Sequence, residues 1–366
     1  MRMNAQDETM LIDRAAQALR GHGLAVTIRH RPEASDPGRS ATWLCVSKDR
    51  QAIDYAVEVK CRLTSGTLGA VVMQLRRPAD AGEPAPLLIT DHVAPQLADQ
   101  LRQHGQQFAD AAGNAYLEGG ALLVYVSGRK LRETQNALRA SKGFPVTRLK
   151  VLFALICDPE LAAAPYRAIA AAADVALGAM PAVVAELQQD GSLIVIDRQR
   201  RLNAGKRLLD EWAQAYALGL RGRTLSGRYL AQKFDDWREW SLNPAHARWG
   251  GEPAAALLAC DLEPGMLTIY GDRLPPRLIT DGQLEVALPV AYEHLVELRR
   301  PFWGEARPGS GRPDVVPPAL VYADLLATGN TRCIEAAQAL YDSLLARRFP
   351  VASATPKERL ACFTRV

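Results

Sequence analysis

Residues 144–207 read FPVTRLKVLFALICDPELAAAPYRAIAAAADVALGAMPAVVAELQQDGSLIVIDRQRRLNAGKR, and this stretch decides the reading of the fold. Leu149, Leu152, Phe153 and Ile156 recur at helical spacing, so 144–157 is expected to be a helix with one apolar face. Pro165 opens a second helix in which Ile169, Ala170 and Ala173 point inward, and DVALG (174–178) is the turn after it. Pro181 fits the first turn of a third helix, where its missing N–H costs nothing, and that helix ends at Gly191. An apolar run, SLIVI, then leads into the basic turn Asp197-Arg198-Gln199-Arg200-Arg201. Three helices followed by a β-hairpin is the order of a winged helix.

The charge pattern fits a phosphate-binding role for this segment. Arg198, Arg200, Arg201, Lys206 and Arg207 crowd the expected wing, and Arg148, Lys150 and Arg167 lie on the helices before it. Phosphate contacts supply much of the affinity of DNA-binding modules. The third helix offers Glu186, Gln188 and Gln189 as its polar groups and has no Arg, Lys or Asn for base edges. The expected contacts are therefore Gln188 and Gln189 on the helix, Arg198, Arg200, Arg201, Lys206 and Arg207 around the wing, and Arg148 and Lys150 behind them. A three-helix packing unit with a solvated basic hairpin, or a protein-interaction adaptor, is the competing reading.

Outward from this centre, the 366 residues suffice for two or three domains. With 48% hydrophobic and 23% charged residues the chain is globular, and a formal net charge of +4 excludes a uniformly basic coat. The six cysteines are scattered without zinc-ligand spacing. There is no apolar leader near Met1 and no run long enough for a membrane span. Free thiols without an export signal point to a reducing cytoplasm. No Walker or dinucleotide glycine pattern and no Gly-x-Ser-x-Gly elbow occurs, and the six histidines are isolated from acidic or thiol partners. No cofactor is expected.

Residues 1–130 mix strands and helices: a helix at 10–23, a strand at 24–28, a loop at 32–40, strands at 42–47 and 53–63, and further elements to 127. The strand 53–63 carries Glu58-Val59-Lys60, which places Glu58 and Lys60 on one face. A carboxylate plus a lysine is the pair that restriction-type nucleases use around Mg²⁺. Asp54 is too far along the same strand, at roughly 13 Å, to share an ion with Glu58. Asp36 falls in the expected loop, Asp49 falls in a turn, and Asp110 depends on the fold. The sequence reading is therefore a restriction-endonuclease-like α/β domain over 1–130 without catalysis. The alternative is a metal-dependent nuclease with Glu58 and Lys60 as its catalytic pair. Residues 208–366 are expected to be a helical connector and a mixed α/β C-terminal domain, giving an α+β multidomain chain. Trp212, Tyr216, Trp237, Trp240 and Trp249 are expected to pack helices; Asp324 and Glu335 are functional candidates without a derived mechanism, and Glu335 on a helix is most simply a solvated surface residue.

Several motifs together carry a family resemblance. They are YAVEVK (55–60), LLITDHVAP (87–95), FADAAGNAYLE (108–118), the helix-turn-helix 146–191, WGGEPAAALL (249–258) and PDVVPPALVYADLLATGNTRCIEAA (313–337). In this order they resemble AbiEi-family antitoxins of type IV toxin–antitoxin systems. The resemblance implies autorepression of an operon through a winged helix on double-stranded DNA. It also implies a cognate nucleotidyltransferase-like toxin that is countered without stable binding. A homodimer is compatible with such a role, and no membrane partner is implied. Better-known AbiEi antitoxins begin with the winged helix, whereas here residues 1–143 precede it, so the chain reads as a longer, divergent branch.

Overall fold

The structure, a computed structural model, describes residues 5–33, 36–48, 51–75, 84–120, 122–130, 145–258, 261–287, 293–304 and 312–351. The described residues divide into two compact units, one within 5–130 and the other within 145–351.

The first unit runs α1 (Ala5–Arg20), β1 (Ala25–Glu33), β2 (Asp36–Lys48), β3 (Gln51–Lys60), α2 (Ser65–Leu75), β4 (Ala85–Thr90), α3 (Pro95–Gln103), β5 (Gln107–Asp110), β6 (Ala115–Gly119) and β7 (Leu122–Val126). All seven strands form one sheet in sequential order. β1 to β3 are an antiparallel meander, β3 to β5 are parallel, and β5 to β7 return to antiparallel pairing. The parallel steps follow from the helices α2 and α3, which supply the crossovers that parallel neighbours require.

One face of this sheet buries its side chains beneath α1. Leu11, Ile12, Ala15, Ala16 and Leu19 recur at helical spacing and pack with Val26, Leu44, Val46, Tyr55, Leu87, Ile89 and Ala109. Each large apolar side chain buried in this way contributes about 1.5–3 kcal/mol. Because side chains alternate along a strand, Tyr55, Val57 and Val59 face α1, and Glu58 and Lys60 face the other side. Gln74 of α2 meets Glu58 there.

One expectation in this unit is corrected. Asp36 begins β2 instead of lying in a loop, because the β1–β2 ladder continues from Ala25↔Ser47 as far as Glu33↔Asp36. The segment SGTLGAVVMQL forms α2, which the sequence reading left unassigned. Residues Thr67 to Met73 are all buried, so the helix has no polar face to reveal a helical period.

The second unit begins with α4 (Val146–Cys157), α5 (Tyr166–Ala173), α6 (Met180–Gln189) and the antiparallel pair β8 (Leu193–Ile196) and β9 (Gln199–Leu202). It continues with α7 (Lys206–Gly219), α8 (Arg221–Thr224), β10 (Leu225–Ala231), β11 (Ala247–Gly250), α9 (Gly251–Leu258), β12 (Met266–Gly271), α10 (Pro276–Asp281), β13 (Leu284–Val286), β14 (Leu295–Arg299), α11 (Pro318–Thr328) and α12 (Thr331–Leu340). Its larger sheet has the order β11-β12-β14-β10-β13, with β12 and β14 parallel and the other neighbours antiparallel. The helical pattern read from 144 to about 240 is broken at Leu225–Ala231, which is β10 and pairs on both sides; extended backbone suits the alternating exposure of LSGRYLA.

α11 is buried from Ala319 to Ala327 and packs against α7, α9 and α12. An aromatic cluster joins the three helices and hairpin to this C-terminal part. Phe153 of α4 stacks on Trp212 of α7 at 5.0 Å, and Trp212 stacks on Tyr216 at 5.3 Å. Phe302 and Trp303 close over Phe153, and Trp212 Nε1 donates to Leu149 O at 3.1 Å. The Gly304 amide donates to Ala172 O, and a side chain at Gly304 would collide with the Ala171 carbonyl. Trp237 and Trp240 pack on Trp249. No single helix among the described residues is long and apolar enough to cross a membrane.

Candidate nucleic-acid interface

α4, α5 and α6 pack on one another through their apolar faces. α5 ends at Asp174, which adopts a left-handed backbone with φ 51°. Lys150 of α4 fixes this corner by an ion pair with the Asp174 carboxylate at 2.9 Å and a hydrogen bond to its carbonyl at 3.1 Å. Between Tyr166–Ala173 and Leu177–Gln189 the chain bends by 114°.

α6 buries Met180, Val183, Val184 and Leu187. Pro181, Ala182, Ala185, Glu186, Gln188 and Gln189 remain exposed on its outer side. Arg148 of α4 pairs with Asp190, just beyond the end of α6, and approaches Glu186 at 3.7 Å. Burial lowers the Arg148 pKa from its ordinary value, and the Glu186 and Glu211 charges oppose that shift.

The hairpin turns at Asp197 and Arg198, with φ 51° and 63°. Two successive left-handed residues make the two-residue turn whose twist matches paired strands. The basic segment expected to be all turn is therefore turn only at 197–198; Gln199–Leu202 is strand β9. Register pairs Val195 with Arg200 and Ile194 with Arg201. Arg200 points back to the helices, donating to Ala164 O at 2.6 Å and lying 4.7 Å from the Tyr166 ring centroid. Val195, Ile196, Arg198, Gln199 and Arg201 are exposed. Arg198 and Arg201 have no ion-pair partner among the described residues. Arg167, in the first turn of α5, is also exposed.

The nine residues singled out from sequence thus fall into three groups. Gln188, Gln189, Arg198 and Arg201 share an exposed setting on α6 and the hairpin. Arg148, Lys150 and Arg200 are held within the three-helix packing. Lys206 and Arg207 lie on α7 instead of the wing. Lys206 pairs with the buried Asp210 at 2.8 Å, and Arg207 pairs with Glu211 at 2.9 Å. The linear sequence gives every arginine the same charge and does not reveal which ones have carboxylate or carbonyl partners at long range.

In the first unit, Lys60 Nζ lies 3.1 Å from Glu58 Oε1, and Gln74 Nε2 donates to the same oxygen at 3.2 Å. Asp54 faces Cys45 across the ladder. Asp110 is fully buried and accepts five hydrogen bonds, from the amides of Val93, Ala112, Gly113 and Asn114 and from Asn114 Nδ2. Burial raises its pKa from the ordinary value against the opposing effect of those donors. Asp110 thus organises the turn at Gly113, where φ is +96°, and is closed to a ligand. Among the described residues no group of three or more His, Cys, Asp or Glu side chains is placed to hold a metal ion.

The sequence reading gave Asp324 no mechanism, and the structure places it in a buried polar joint. Tyr216 and Tyr270 donate to its carboxylate at 2.8 and 3.0 Å, and their hydroxyls lie 2.7 Å apart. Beside them Glu297 binds Arg299 and Arg228, and Arg299 Nη1 donates to Arg221 O and Thr224 Oγ1. Such a network ties α7, α11, β12 and β14 together, and removing one partner leaves an uncompensated buried charge.

Residues 201–346 match the family model AbiEi_2, described as transcriptional regulator, AbiEi antitoxin, type IV TA system. Over those residues the chain is similar to this family of transcriptional regulators. The match runs from within β9 through the larger sheet and past α12 to residue 346; α4 to α6 and the first unit precede it. No curated protein and no solved structure is significantly similar to the chain.

Proposed function

We propose that the protein is a DNA-binding transcriptional regulator of a type IV toxin–antitoxin system, and that residues 145–203 act as a winged helix on duplex DNA. The observation that carries this reading is the 114° bend before α6, with the exposed outer face of α6 lying beside a hairpin that bears Arg198 and Arg201. Helix-turn-helix units cross at about 90–120°, and a free arginine pair next to the second helix suits the phosphates flanking a groove. α6 enters the major groove, and the hairpin and Arg167 grip the backbone on either side. The family description supports the regulatory role and the antitoxin role.

The first unit is read as a restriction-endonuclease-like scaffold, from its α-β-β-β-α-β start and the Glu58–Lys60–Gln74 group on the face away from α1. The donor set does not fit a divalent ion. Glu58 is held by Lys60 and Gln74, and Asp110 is saturated with N–H donors. No metal-dependent step is derived from these residues.

The test is nuclease protection of the DNA upstream of the protein's own gene by the full chain, with and without Mg²⁺. A discrete protected segment without strand cleavage is expected. Metal-dependent cleavage that is lost in Lys60→Ala would replace this reading with the nuclease, and uniform absence of protection at low salt would remove the DNA-binding role.

A further inference from the structure

The chemistry of the outer face of α6 specifies which bases it reads. Successive residues of a helix are rotated by about 100°. With Met180, Val183, Val184 and Leu187 turned inward, the outward direction falls on Gln189, between Ala182 and Ala185. Glu186 lies on the flank beyond Ala182, with Pro181 and Gln188 on the flank beyond Ala185. The face therefore presents methyl groups, amides and one carboxylate, and no cationic side chain.

This set is selective in a major groove. Guanine shows two acceptors there and is read mainly by Arg or Lys; adenine pairs with a Gln amide; cytosine donates from N4 to a carboxylate; thymine offers a methyl group to small apolar side chains. Glu186 would be a poor neighbour for phosphates if it stood alone. Arg148 lies 3.7 Å from it and also binds Asp190, so the two acidic groups nearest the helix end share one counter-charge from behind. Arg198, Arg201 and Arg167 leave the positive charge at the margins, where the backbone runs.

Resting on the winged-helix reading above, we propose that α6 recognises a guanine-poor contacted strand. Ala182 and Ala185 pack on thymine methyls, Gln189 pairs with an adenine, and Glu186 accepts from a cytosine N4. Arg148 is a positioning residue that holds Glu186 in place and does not touch DNA.

Selection of binding sites from a randomised duplex pool tests this with the full-length protein, Gln189→Ala and Glu186→Gln, followed by anisotropy on the selected duplex. The selected site should contain an adenine whose preference is lost in Gln189→Ala and a cytosine whose preference relaxes in Glu186→Gln. Each loss should be about fivefold or more in discrimination. Replacing a contacted thymine by uracil should weaken binding about fourfold, the value of one buried methyl group. Both substitutions are on exposed positions, and unchanged thermal unfolding verifies that the variants fold. A selected site rich in contacted guanines, or one left unchanged by both variants, overturns the proposal. Salt-sensitive binding with no enriched site also overturns it while leaving DNA binding by the module standing, whereas no duplex binding at low salt removes both.

Discussion

Arg148 and Arg198 are both arginines of one small module, and the structure gives them different work. Arg148 is enclosed and joins α4 to the end of α6. Its replacement by Ala is expected to cost about 1–3 kcal/mol of stability, the range for a charged hydrogen bond left unmade. Arg198 stands on a solvent-exposed turn, so Arg198→Ala should change stability by no more than about 0.5 kcal/mol while weakening DNA binding. Denaturant unfolding and anisotropy on the same two variants check both statements; equal effects of the two on stability would contradict the assignment. The cysteines offer a second check. Burial pushes the thiols of Cys157 and Cys333 up to about 12 and about 11. Thiolate is the reactive form, so alkylation of these two at neutral pH should follow unfolding; fast labelling in the native protein would show that the cores around α4 and α12 are open.

At the scale of elements, α5 and α6 were legible in the sequence because each has one apolar side against the core and one polar side, whereas α4, buried from Val151 to Cys157, was legible through the helical spacing of Leu149, Leu152, Phe153 and Ile156, and the hairpin through its basic turn after an apolar run. α2 and β10 were not legible for opposite reasons. α2 is apolar all round, and β10 takes its identity from the strands on both of its sides, which lie far along the chain. The candidate contacts were legible as a set of basic residues, and their separation into exposed and engaged groups required tertiary partners such as Asp190, Asp174 and Ala164. Leu187 anchors α6 with no solvent exposure. Leu187→Ala should therefore destabilise the second unit by about 2–5 kcal/mol, the usual cost of a buried Leu cavity. Thermal unfolding measures this, and a loss under about 1 kcal/mol would mean that α6 is not packed as described.

Across the whole molecule, the buried charges of the second unit make stability depend on pH. Burial alone would raise the Glu297 pKa, and the Arg299, Arg221 and Arg228 charges overcome it and hold the carboxyl below its ordinary value of 4.5. A depressed folded-state pKa means that the contribution is complete above the unfolded pKa and is lost as pH falls through the folded one. The protein should therefore lose stability below about pH 4.5. Glu297→Gln should remove the part of that acid dependence due to this residue. It should also lower neutral-pH stability by about 3–5 kcal/mol, since Arg299 keeps its charge without its partner. Melting temperatures across pH for both proteins decide the matter; parallel curves would mean that Glu297 is not the titrating group.

The central claim is that α6 and the hairpin bind duplex DNA, with phosphates held by Arg198 and Arg201. The most direct measurement is the affinity of the full-length protein and of its Arg198→Ala/Arg201→Ala variant for one duplex across a series of salt concentrations. Each phosphate contact contributes about 0.9 to the slope of log affinity against log salt. The account predicts weaker binding by the variant and a slope shallower by about two. Equal affinity and equal slope for the two proteins would contradict it.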